Sequence, residues 1–95
     1  MADEHDRIKE RERGHYARQI VDSPLWAEAW AALESRLMDG WRQSQTGATE
    51  RRELIYLQLR AAYEVRAHIE QVLLTGQMAE MQLQERSDVR TRAEH

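Results

Sequence analysis

Apolar residues recur at helical intervals through the middle of this chain. From Trp26 they step by four, three, four and four residues through Trp30, Leu33 and Leu37 to Trp41. That is the repeat of one helix face, not the alternation of a strand. Leu25, Ala29 and Ala32 widen the stripe. The helix is expected to open at Ser23-Pro24. There the Ser23 hydroxyl can accept from a free amide of the first turn, and Pro24 takes the first helical position, where no donor is needed. Its end is expected between Arg42 and Ser44. Gly40 either stops it early or lets a neighbour approach closely.

The polar, glycine-containing stretch Ser44-Gln45-Thr46-Gly47-Ala48 reads as a connection. Thr49 is the expected cap of the next helix, and Glu50 and Glu53 suit its positive end. This second helix is expected to run to Gly76, a C-terminal stop after Leu73-Leu74-Thr75. Leu54, Leu57, Ala61, Val65 and Val72 share one side of it, and Ile55, Leu59, Ala62, Ile69 and Leu73 an adjacent side. The combined band is too wide for one partner helix. Tyr56 and Tyr63 lie on a further stripe. A connection this short makes the two helices antiparallel neighbours. The expected fold is therefore all-α, a helical hairpin from Ser23 to Gly76 that oligomerises through its long second helix. Trp26, Trp30, Leu33, Leu37, Trp41, Ala61 and Val65 are assigned to the hairpin core. Leu54, Ile55, Leu57, Leu59, Ile69, Val72 and Leu73 are assigned to the oligomer interface.

The ends carry charge and little apolar surface. Residues 1–22 form the first segment, and up to Val21 five acids and five bases balance. Glu and Arg three or four apart can support a helix from about Asp3 to Val21, weakened at Gly14. Tyr16 and Ile20 are the residues expected to dock it on the hairpin; a disordered arm that orders on a partner is the competing reading. Residues 23–76 are the core. In residues 77–95, Met78, Met81 and Leu83 can extend the helix briefly against a neighbour, and a polar, frayed tail is expected after Gln84.

Composition narrows the possibilities. The chain has 95 residues, 33% charged and 41% hydrophobic, with no Cys, no Phe and one Pro. That length allows one domain, and the Ala, Leu, Glu, Arg and Gln bias points to helix. Without Cys there is no disulfide framework, thiolate metal site or cysteine nucleophile. The N-terminus lacks the apolar core of a signal peptide, and no apolar run approaches a membrane span, so an intracellular protein with no membrane partner is expected. A core of this size falls below the roughly 70–80 residues that stabilise one comfortably, and oligomerisation is a common remedy.

Candidate chemistry is sparse. His5, His15, His68 and His95 show no metal-ligand spacing. His68, between Val65 and Val72, reads as a hydrogen-bonded interface histidine. There is no glycine-rich phosphate loop and Ser23 is explained as a cap, so no catalytic residue, metal or cofactor is expected and the chain reads as non-enzymatic. Thirteen arginines raise the question of nucleic acid, yet 17 acids outnumber 14 bases, for a net charge of −3. A nucleic-acid footprint concentrates basic residues on one face. Arg51, Arg52 and Arg60 are the candidates for weak contact, should an assembly gather them round an opening.

The run Ala17-Arg18-Gln19-Ile20-Val21-Asp22-Ser23-Pro24-Leu25, with Ala29-Trp30 and Trp41, resembles a family of small helical proteins of tailed phages and gene transfer agents. So do Arg51-Arg52-Glu53-Leu54, Arg66-Ala67-His68-Ile69-Glu70 and Gly76-Gln77-Met78-Ala79. These proteins are encoded near head and packaging genes, and some look like reduced small terminase subunits. The resemblance covers Ala17 to Ala79. It implies a homo-oligomer, as a ring, that serves DNA packaging or virion assembly in the cytoplasm of the bacterial host, with association with the virion left open. Its implied partners are the large terminase, the portal or another head protein. The chain departs from the usual small terminase in lacking a helix-turn-helix, so DNA contact, if there is any, is expected to be weak and non-specific. A phage-encoded inhibitor or adaptor that binds a host protein is the alternative.

Overall fold

The computed structural model describes residues 3–94. Among them are three α-helices and no strand: α1 (Glu4–Val21), α2 (Pro24–Gln43) and α3 (Thr49–Glu94). The chain is all-α.

Local chemistry explains most of the helix ends. Asp3 caps α1, its side chain accepting from the Asp6 amide at 2.8 Å. Ser23 caps α2 differently from expectation. Its backbone is extended, φ −69° and ψ 129°, and its hydroxyl makes no cap bond. A residue before proline is pushed into that conformation. The Ser23 carbonyl instead accepts from the amides of Trp26 and Ala27. α2 then passes through Gly40 and closes at Gln43, where the Ser44 amide returns to the Trp41 carbonyl at 3.1 Å. In the connection Gly47 has φ +89°, a left-handed conformation that a side chain resists. Thr49 is the first residue of α3 and not its cap; the Ala48 carbonyl opens the ladder by accepting from Arg52 at 3.1 Å.

α3 is 46 residues long and does not stop at Gly76. The expected end there is corrected: the helix continues through Gln84 to Glu94. Gly76 is needed for a close approach, described next, and a single mid-helix glycine costs only about 1 kcal/mol.

Contacts divide the chain into two compact units, one joining α1 up to Ile20 with α3 from Ile69, the other spanning Val21–His68. In the first unit two backbones touch. A Cβ added to Gly14 would lie 2.7 Å from the Gly76 Cα, and one on Gly76 would lie 2.9 Å from the Glu10 carbonyl oxygen. Ala17 and Ala79, three residues further along each helix, are 3% and 1% exposed. His15 meets Glu80 at 3.2 Å and Glu4 approaches Arg90 at 3.9 Å. The early part of α1 thus meets the late part of α3. Tyr16 and Ile20, the expected docking residues, are exposed, Tyr16 at 67%. Helices this close leave no room between them for a large side chain, so Tyr16 and Ile20 fall outside the contact.

The second unit is built on rings and arginines. Trp30 stacks on Tyr63 with centroids 6.0 Å apart, and Trp26 meets Trp30 edge-on at 5.8 Å. The Arg66 guanidinium lies 4.6 Å from the centroids of both Trp30 and Tyr63, and reaches Glu34 at 3.7 Å. Arg52 lies 5.1 Å over Trp41 and donates from Nε to the Ser44 hydroxyl at 2.8 Å. Gly40 sits beside Ile55; a Cβ there would meet Ile55 Cδ1 at 3.4 Å. The seam of α3 in this unit is Arg52, Ile55, Leu59, Ala62 and Arg66, all half-buried, at alternating three- and four-residue steps.

Candidate interaction surfaces

The half-buried seam leaves another line of α3 outside. Leu54, Leu57 and Val65 are 56%, 54% and 62% exposed, and Ala61 between them is exposed too. At 3.6 residues per turn these four positions form one narrow stripe. This redistributes the two sides read from sequence. Ala61 and Val65 do not belong to the core. Ile55 and Leu59 do not face outward: they line a groove of 220 Å³ with Leu37, Met38, Trp41, Tyr56 and Tyr63. Leu37 is buried, whereas Trp26, Trp30 and Leu33 are half-buried and Trp41 is 41% exposed beneath Arg52.

Ile69, Val72 and Leu73, the other interface candidates, are half-buried in the first unit. Leu73 lines a hollow of 410 Å³ together with Gly14, His15, Arg18, Gly76, Gln77, Glu80 and Met81. Leu74, Met78 and Met81 stand out from α3, between 51% and 63% exposed.

The basic candidates do not gather. The Arg52 guanidinium is engaged with Trp41 and Ser44. Arg51 and Arg60 are exposed but nine residues apart, two and a half turns, and so point to opposite sides of α3. Arg51, Arg52 and Arg60 therefore form no single basic face. Among the described residues no group of three or more His, Asp or Glu can hold a metal ion. His68 is exposed, and His95 lies outside the described residues. No helix in the described residues is long and apolar enough to cross a membrane.

Two features escaped the sequence reading. One is the paired spacing Gly14-x-x-Ala17 and Gly76-x-x-Ala79, which signals close approach only once the two stretches are set against each other. The other is the inward seat of Arg52 and Arg66 on the aromatic rings of α2 and α3.

No family model, curated protein or solved structure matches this chain.

Proposed function

We propose that this chain is a non-enzymatic, self-associating helical protein, and that it serves head assembly or DNA packaging of a tailed phage as a small terminase-like adaptor. The observation that carries self-association is the exposed stripe Leu54, Leu57, Ala61 and Val65, on the outer side of a helix whose other face is already occupied. Surface area supports it. The chain exposes 7732 Å², whereas a folded monomer of its mass follows about 5,700 Å². The difference, about 2,000 Å² for one chain, exceeds the roughly 800 Å² that each partner contributes to a standard protein–protein interface. The packaging role rests on the resemblance alone. Under it, the partners are a second copy first, then the large terminase, the portal or another head protein, in the cytoplasm of the infected host. The scattered arginines support only weak, non-specific contact with DNA, which added salt should abolish.

The second reading, a small inhibitor or adaptor for a host protein, is favoured by Leu74, Met78 and Met81. Exposed methionines adapt to irregular partner surfaces. Light scattering at micromolar concentration tests self-association directly, since a folded species that holds 11.2 kDa at every concentration refutes it. Co-purification from infected cells separates the roles. A portal, head protein or large terminase supports packaging, and a host enzyme supports inhibition.

A further inference from the structure

The outer stripe of α3 has a symmetry that its size pattern and its charges share. Ala61 is its small central residue. Leu57 lies four positions before it and Val65 four after; Leu54 lies seven before and His68 seven after. All five are exposed. Reversing the direction of the helix therefore leaves the pattern of bulk nearly unchanged, which is the property of a surface that pairs with itself about a twofold axis. A small residue on the axis lets two helices approach closely.

The flanking charges choose between directions. Glu53, Arg60, Glu64 and His68 lie along one edge of the stripe, and Arg51 and Gln58 along the other. In an antiparallel pair like edges meet. With Ala61 against Ala61, Arg60 falls beside the partner's Glu64, and the partner's Arg60 beside Glu64. Glu53 comes near the partner's His68. In a parallel pair opposite edges meet, and Arg60 faces Gln58 or Val65 with no acid to answer it.

We propose that two copies of this chain pair through α3 in antiparallel sense about a twofold axis at Ala61, with Leu57 packed on the partner's Val65 and Arg60 paired with the partner's Glu64. This rests on the self-association reading and adds to it the surface and the direction. A contact of this kind is closed after two copies, so a ring requires a second, different contact between pairs.

Charge reversal tests it in the full-length chain. Arg60→Glu alone sets a carboxylate against the partner's Glu64, and Glu64→Arg alone sets two guanidinium groups together. Each variant should self-associate at least tenfold more weakly than the parent. Mixed one to one, they should pair with parental strength, because both cross-helix ion pairs are then restored. An intrachain effect of either substitution cannot be repaired by mixing. The absence of cysteine supplies a second readout. Ala61→Cys should form a disulfide-linked dimer on mild oxidation, and Leu57→Cys should link to Val65→Cys faster than to itself. If the parent is a monomer at all concentrations, the self-association reading itself falls and the stripe faces some other protein. If the parent associates but mixing restores nothing, or Leu57→Cys links to itself fastest, the antiparallel pairing is overturned while self-association stands.

Discussion

Gly14 and Gly76 carry the sharpest single-residue constraint. The atoms that an added Cβ would strike are backbone, and backbone cannot swing away as a side-chain tip can. Gly14→Ala or Gly76→Ala should therefore force α1 and α3 apart and cost about 1–3 kcal/mol, the range for overpacking. Gly40 is the internal control, because the space beside it ends in a flexible Ile55 methyl at ordinary contact distance. Gly40→Ala should be neutral or stabilise by up to about 1 kcal/mol through helix propensity. Thermal melts followed by circular dichroism should separate the substitutions in that order. Equal melting points for Gly14→Ala and Gly40→Ala would show that the backbones do not touch. The same pair of glycines marks a limit of sequence reading. A glycine after an apolar helix is a stop signal by local rules, and only the residue opposite reveals it as a crossing point. Gly14 was legible as a weak spot in α1, but not as the partner of Gly76.

Among the elements, α1 and α2 were legible in their extents because their signals are local: Asp3 and Ser23-Pro24 at the starts, a charge-paired body in α1, a regular apolar step in α2. The faces of α3 were not. Apolar counting ranks Leu54, Leu57, Ala61 and Val65 at least as high as the true seam, since that seam contains Arg52 and Arg66. Arginine is a reasonable inward residue here, because its planar head covers aromatic rings while its stem packs. Arg66→Ala should remove contacts to two rings and cost about 1–2 kcal/mol, and Arg66→Lys should recover part of that. Urea unfolding of the pair measures both. A second prediction at this scale concerns the far part of α3. A chain ending at Gly76 keeps that residue but loses Ala79 and Leu83, so α1 should lose much of its support. Its helix signal should fall by more than the removed residues account for. Removing only residues 85–95 should take away Arg90 and its approach to Glu4 but leave the Gly14–Gly76 crossing, with a small loss of stability.

At the scale of the whole molecule the burial is thin. Among the described residues only Ala17, Leu37 and Ala79 count as buried apolar side chains, and none of the larger ones is fully enclosed. A protein that gains part of its stability from copies of itself should melt at a temperature that rises with its concentration. A melting point constant over a hundredfold dilution contradicts that. Leu57→Glu, on the exposed stripe, should abolish the concentration dependence without unfolding the monomer, because it places a charge where water already reaches. Leu37→Glu should instead destabilise the second unit strongly, since it sets an unpaired charge at a position only 6% exposed, among Trp41, Ile55 and Leu59.

All three tryptophans, Trp26, Trp30 and Trp41, belong to α2, while α1 has only Tyr16. Their emission is therefore a built-in optical reporter of one unit and is blind to the other. Denaturation of Gly14→Ala followed by fluorescence should retain the parental midpoint, while circular dichroism of the same sample shows an earlier loss as α1 departs. A parental sample in which both signals move together, and a variant in which they part, would give each half of the molecule its own colour without any label.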